Sequence, residues 1–212
     1  MKATRIMAIR HGETAWNVDT RIQGQLDIPL NEVGRWQAER AAVALAEEGI
    51  DHIYASDLAR AWETAHCIGQ KTGRPVQPEV GLRERGFGEF EGLTFAEIEA
   101  QRPEQSLLWR RRDPHFAPPG GESLLDFRQR VLHTTLSLAE RHAGEHIVLV
   151  AHGGVMDVLY RAATGQDLQA PRTWHLGNAA LNRLLWHPEG LSLVGWGDVG
   201  HLQDAGLDEI SS

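Results

Sequence analysis

Ile6-Met7-Ala8-Ile9-Arg10-His11-Gly12 near one end of the chain and Ile147-Val148-Leu149-Val150-Ala151-His152-Gly153-Gly154 near the other share one design. In each, a short apolar run gives way to a histidine-glycine pair and then to a stretch of helical character. Runs this short and this uniformly apolar read as strands buried on both faces, the habit of a parallel sheet covered by helices on each side. If the two strands are parallel, His11 and His152 leave the same carboxyl edge of the sheet, where open α/β folds place their ligands. Each glycine is expected to let the backbone approach a ligand closely, and the helix after each motif to offer amino-terminal amides to an anion.

Working outward, Asn31 to Glu48 holds Val33, Trp36, Ala41 and Leu45 in a helical stripe and stops at Gly49, as a helix end does. His52 to Ala55 reads as another short strand. Residues 57–72 form a second helix closed by Gly73, and Ser123 to Arg141 a third, with Leu125, Leu132, Leu136 and Ala139 on one face. Ala180 to Trp186 and Leu191 to Trp196 flank Pro188-Glu189-Gly190, the pattern of a β-hairpin, which makes the sheet mixed. From Gly86 to Gly121 the periodicity weakens, and Pro103, Pro114, Pro118, Pro119, Gly120 and Gly121 accumulate. This predicts a small excursion, a lid over one edge of the sheet. No repeat or linker divides the chain. The expectation is a single α/β domain over residues 1–212, with a mostly parallel central sheet and helices on both faces.

A chain of 212 residues needs no staples to bury a core. Lys and Arg number 21 against 29 Asp and Glu, a net charge of -8, and so acidic a chain is repelled by nucleic acid and by anionic membranes. The longest aliphatic stretch, Ile147 to Ala151, is far too short to cross a bilayer, and the first ten residues carry charges too early for a signal peptide. The lone Cys67 excludes an intramolecular disulfide and a thiolate metal cluster, so a reducing cytoplasm is the expected location. An anionic substrate is admitted wherever arginines cluster against the global sign.

Arg10-His11-Gly12-Glu13-Thr14, with Trp16-Asn17 just after, resembles the signature of the histidine phosphatases and the cofactor-dependent phosphoglycerate mutases. Gly24, Asp27, Leu30 and Gly34 continue the pattern, followed by Ser56-Asp57-Leu58-Ala59-Arg60-Ala61 with Thr64-Ala65. Leu82-Arg83-Glu84, Gly88, Gly92-Leu93-Thr94, Gly121-Glu122-Ser123 and Ala151-His152-Gly153 complete it. The resemblance implies a phosphomonoester phosphatase that works through a phosphohistidine on His11, with Glu84 as general acid and then base. It also implies that Arg10, Arg60 and His152 surround the phosphoryl oxygens, with Asn17, Gln23, Gly24 and Gly153 lining the same cradle.

The chemistry of these residue types agrees. Phosphoryl transfer asks a protein mainly to position groups and to neutralise the phosphoryl oxygens, and arginines offer paired donors for that task. Cations beside His11 disfavour its imidazolium and leave a neutral ring as nucleophile. Taken singly, each residue has a plainer reading: a histidine after a strand is usually structural, Arg60 a solvated helix charge, Glu84 a salt-bridge partner, Asn17 the cap of a turn. Their joint spacing selects the catalytic reading. His142 and His146 stand at i and i+4, but Gly144 interrupts them and no carboxylate or cysteine pattern supports ligation. No metal site and no cofactor are therefore expected. His175 reads as a surface residue.

In Trp109-Arg110-Arg111-Arg112, three adjacent arginines normally mark a solvated face; here they fall in the excursion, and Arg110 and Arg111 are assigned to substrate. Phe87, Phe90 and Phe95 read as packing residues, some of which line a leaving-group pocket. The partner expected is a small phosphorylated metabolite, with a homodimer as the candidate assembly. Two rival functions remain. A mutase would return the phosphoryl group to a second hydroxyl, yet Phe95 stands where mutases are expected to carry a lysine, and Gly154 where they carry an asparagine; Trp109-Arg110-Arg111, by contrast, resembles a mutase segment. A catalytically silent phospho-ligand module is opposed by the complete set of His11, Arg60, Glu84 and His152.

Overall fold

The computed structural model describes residues 2–203. In chain order they form β1 (Thr4–Arg10), α1 (Ala15–Val18), α2 (Glu32–Ala44), β2 (His52–Ala55), α3 (Ala59–Thr72), β3 (Val76–Pro78), α4 (Phe95–Gln101) and α5 (Pro103–Arg110). Then follow α6 (Leu124–Arg141), β4 (His146–Ala151), α7 (Gly153–Thr164), β5 (Leu181–His187) and β6 (Gly190–Asp198). The six strands make one sheet in the order β3-β2-β4-β1-β5-β6. β3, β2, β4 and β1 pair in parallel, and the β5–β6 hairpin joins β1 antiparallel. This is the mixed, mostly parallel α/β sheet expected, with β3 an added edge strand too short to leave a pattern.

The central strands are apolar on both faces because both faces are covered. Ile6, Ala8, Ile147 and Leu149 face one way, against Phe127 and Val131 of α6 and Val155 and Leu159 of α7. Met7, Ile9, Val148 and Val150 face the other, against Ala41 of α2 and Ala61, Ala65 and Ile68 of α3. Every residue of β4 is buried. Each of the larger of these side chains contributes on the order of 1.5–3 kcal/mol by leaving water, and each alanine less, so the two layers fix the register of the strand ends that carry the histidines.

Helix positions were legible; their inward faces were less so. α2 is capped by Asn31, whose side chain accepts from the Gly34 amide, but it ends at Ala44. Residues 45–48 turn away before Gly49. Its buried face is Gly34, Ala38, Ala41 and Ala42, whereas Val33 and Trp36 are exposed. Close approach is the reason: a Cβ on Gly34 would lie 2.0 Å from the Glu13 carbonyl oxygen. In α6 the buried face runs through Leu124, Phe127, Val131, Thr135, Leu138 and Ala139; of the stripe the sequence suggested, Ala139 is buried, Leu132 and Leu136 pack at its margin, and Leu125 is exposed. Residues 86–121 are not wholly irregular. They contain α4, opened by a Thr94–Glu97 capping box, and α5, in which Pro103 starts a helix.

Candidate active site

The parallel ladder does what the two quoted motifs require. Arg10 pairs with Ala151, the His11 amide donates to the Ala151 carbonyl at 2.9 Å, and the rings of His11 and His152 stand 5.3 Å apart between centroids. β2 ends beside them, and Ser56, the next residue, meets His152 Nε2 through its hydroxyl at 2.8 Å. Three neighbouring parallel strands thus deliver His11, His152 and Ser56 to one edge.

His11 is buried, and its Nδ1 lies 2.6 Å from the Gly12 carbonyl oxygen. A carbonyl only accepts, so Nδ1 carries the proton and Nε2 keeps its lone pair. Burial holds the His11 ring well below the ordinary histidine range, and Arg10 and Arg60 push it the same way. Burial lowers His152 as well, with Arg60, His11 and Arg10 adding to it.

Arg60 lies in the first turn of α3 and is 1% exposed. Its guanidinium donates to the Leu26 and Gly24 carbonyls at 2.8 and 2.7 Å, binding the 24–27 loop to the helix. Burial pulls its pKa down to about 10, with Glu84 and Asp27 opposing, so it stays charged at neutral pH. Arg10 donates to the Leu176 carbonyl. Arg10 Nε, Arg60 Nε and His152 Nδ1 are buried with no protein partner among the described residues. Orphaned buried donors cost about 1–3 kcal/mol each; the two arginine Nε–H groups, joined by His152 Nδ1–H when Nε2 accepts from the Ser56 hydroxyl, ask for an anion beside His11.

Glu84 faces this group. Its Oε1 accepts from the Arg85 amide at 2.8 Å and its Oε2 from the Gly154 amide at 2.9 Å. Arg130 holds the segment by donating to the Arg83 and Glu84 carbonyls. Asn17 serves two ends: its Oδ1 accepts from the Thr14 amide, and its side chain lines the cavity over His11.

That cavity, about 170 Å³, brings together Arg10, His11, Asn17, Gln23, Gly24, Arg60 and Glu84. A larger one, about 540 Å³, shares Arg10, Ile22, Glu84 and Phe87 with it and is walled by Trp109, Leu124, Phe127 and Leu176, together with Gly153 and Gly154. Of the arginine run, Arg112 lines this wall, bound to Asp157 at 2.7 Å. Arg110 instead pairs with Glu99 and lies over the Phe95 ring, and Arg111 is exposed, so neither belongs to the cavity lining. His175 is exposed.

Sequence reasoning gave no role to several residues found here. Asn178 donates to the His11 carbonyl at 2.9 Å. Arg85 and Arg172 line the larger cavity. Ser56 alone had a usable signal, since it follows a parallel strand as His11 and His152 do. Gly12 has a reason other than the expected one: a Cβ there would meet the Gly34 carbonyl oxygen at 2.3 Å, so it is required by packing on α2. α1 is a single turn, so of the helices that follow the two histidine-glycine motifs it is α7 that presents a full amino terminus to the site.

A buried histidine with a free lone pair, ringed by uncompensated cations and faced by a carboxylate, defines an enzyme for phosphoryl transfer. A sequence model of the histidine phosphatase superfamily (branch 1) matches residues 6–199, and the chain belongs to that superfamily as a histidine-dependent phosphatase acting on phosphomonoesters. It is 40% identical to Phosphoglycerate mutase-like protein 4 of Arabidopsis thaliana, over 95% of this chain and 88% of that protein. It is also 40% identical to the glucosyl-3-phosphoglycerate phosphatase of Mycobacterium tuberculosis, over 88% of this chain and 87% of the other. Among solved structures, Bacillus stearothermophilus YhfR superposes with a TM-score of 0.86 at 33% identity, over 94% of this chain and all of that one (100%). No helix among the described residues is long and apolar enough to cross a membrane.

Proposed function

We propose that His11 Nε2 attacks the phosphorus of a small phosphomonoester whose leaving alcohol carries a negative charge of its own. The phosphoryl group fits the smaller cavity, where Arg10 and Arg60 offer buried donors that have no protein partner among the described residues, with the buried His152 ring behind them next to His11. As the P–O bond breaks, the phosphoryl group passes to Nε2 and a proton from Glu84 passes to the departing oxygen. Carrying that proton asks one Glu84 oxygen to turn from acceptor to donor, toward the junction of the two cavities that it lines. Glu84 then takes a proton from the water that attacks the phosphohistidine, freeing phosphate and restoring both groups. None of these steps draws on a cofactor.

The larger cavity carries the reading of the leaving group. Its apolar wall suits a compact carbon skeleton, and its cations exceed what the protein neutralises. Arg112 is paired with Asp157, Arg85 donates to the Glu122 and Phe116 carbonyls with the Glu122 and Glu84 carboxylates near it, and the exposed Arg172 has no hydrogen bond or ion pair among the described residues. Lone Cys67 and the acidic charge favour work in the cytoplasm on a metabolite rather than on nucleic acid, and a homodimer remains the assembly proposed.

The test is a panel of monoesters of matched size with anionic and neutral leaving groups, with rapid quenching of labelled substrate. Anionic members are expected to give the higher kcat/KM, with label stable to alkali, lost in acid and absent from His11→Ala. Arg172→Ala is expected to raise KM about tenfold for anionic members alone. Label on another residue refutes the mechanism, and equal effects on both kinds of substrate refute the substrate class.

A further inference from the structure

At the amino ends of the parallel strands, on the edge of the sheet opposite the cleft, three donor groups converge. His52 opens β2, His142 follows the last turn of α6, and Glu145 precedes β4. Glu145 Oε2 lies 2.7 Å from His142 Nδ1 and 3.1 Å from His52 Nε2, and all three groups have ligand atoms within 4.8 Å of one another. His142 is buried, and its Nε2 is 2.9 Å from the buried Tyr54 hydroxyl.

We propose that His52, His142 and Glu145 form a site for a borderline divalent ion of the Zn²⁺ type, with one water completing a tetrahedral shell. Two imidazoles and a carboxylate are a ligand set that zinc accepts, with its fourth position left to water. Ligands about 2.0–2.1 Å from a tetrahedral ion stand roughly 3.4 Å from one another, so the nitrogens need to draw back from Glu145 by less than an ångström. The two rings, with centroids 3.9 Å apart, must also splay. His52 and Glu145 are free to do this, with side chains 34% and 45% exposed, and their exposure gives the ion and its water a way in.

Tyr54 supplies the second half of the case. Without an ion, both rings point N–H protons at Glu145, and His142 Nε2 accepts from the Tyr54 hydroxyl. With an ion on His142 Nδ1, the ring proton moves to Nε2 and donates to the same hydroxyl, which reverses its role. Each ring keeps one proton, and the buried nitrogen has a partner in both states. The sequence reading considered His142 and His146 as an i, i+4 pair and set it aside; His146 Nδ1 is indeed turned to the Glu48 carbonyl at 3.0 Å, and the carboxylate and second histidine come from Glu145 and His52. Since β2 separates His52 from Ser56 by roughly 13 Å, the ion touches no reacting atom. Its effect is to tie β2, the end of α6 and the turn before β4 together.

Untagged full-length protein, stripped with chelator, is titrated with Zn²⁺ by calorimetry and then melted. One equivalent is expected to bind, and Tm to rise by about 5 °C or more when free zinc is about 100-fold above Kd. His52→Ala and Glu145→Gln, both changes at partly exposed positions, are each expected to weaken binding tenfold or more, and Tyr54→Phe about tenfold. Phosphatase turnover in His52→Ala stays at the wild-type value. Failure of the wild type to take up zinc overturns the proposal, and so does uptake that His52→Ala and Glu145→Gln retain in full.

Discussion

Nε2 of His11 is the lone pair left over once Nδ1 is committed to the Gly12 carbonyl, and burial rather than the neighbouring charges is the main reason that it stays unprotonated. The sequence reading named the arginines as the cause; they act in the same direction, but second and third. The sign of the pH dependence follows. A folded-state value below the ordinary one, near 6.5, keeps the neutral nucleophile populated as pH falls through that range, and protonation removes it only further down. Once the substrate's own ionisation near pH 6 is divided out, the acid limb of kcat/KM, which reports loss of the neutral nucleophile, is expected below pH 6.5. A pH–rate profile on a single monoester checks this, and an acid limb centred at 6.5 or above contradicts it.

Among the elements, the amino terminus of α7 does more than present amides to an anion. The Gly154 amide holds Glu84 Oε2 at 2.9 Å, and a Cβ on Gly154 would stand 2.2 Å from Glu84 Oε1 and 3.1 Å from the Phe127 ring. The missing side chain at residue 154 is therefore the space in which Glu84 sits. Gly154→Ala is expected to lower kcat by about 100-fold, the usual cost of misplacing a reacting group by an ångström, with Tm unchanged or raised because alanine is the better helix former. Gly153→Ala is the comparison, since its Cβ would meet Arg10 at 3.4 Å (Nε), 3.6 Å (Cζ) and 3.9 Å (Cδ), ordinary contact distances, and would leave Glu84 where it stands. Equal rates for the two variants would separate Gly154 from the positioning of Glu84. The sequence displayed the glycine but not this reason, because Glu84 and Gly154 are joined only by the tertiary fold. α2 taught the same lesson: Ala41 and Leu45 of the sequence stripe are buried, but Val33 and Trp36 are exposed and Gly34 and Ala38 take the contact, because small residues mark close approach.

Over the whole molecule, what was legible came from local pattern: the buried strands, the parallel pair that aligns His11 with His152, and the hairpin. What was not legible comes from segments folded back late in the chain, such as Asn178 on the His11 carbonyl and Arg172 on the cavity wall. This arrangement bears on the choice between hydrolysis and isomerisation. Phe95, where a mutase is expected to carry a lysine, packs against Trp109 and beneath the Arg110 guanidinium, so it braces the α4–α5 excursion and binds no anion. Asparagine at position 154, the mutase choice, would collide with Glu84 where it now stands. A mutase must also keep water from its phosphohistidine while the intermediate turns over, and the larger cavity lies directly beside the group that activates water. Phosphate release is therefore expected to outrun isomerisation. Pure protein incubated with 3-phosphoglycerate and catalytic 2,3-bisphosphoglycerate is expected to form 2-phosphoglycerate at least tenfold more slowly than it releases phosphate from the best member of a monoester panel. Isomerisation faster than hydrolysis of every member would mean that the cavity retains its intermediate, and that residue 154 does not set the outcome.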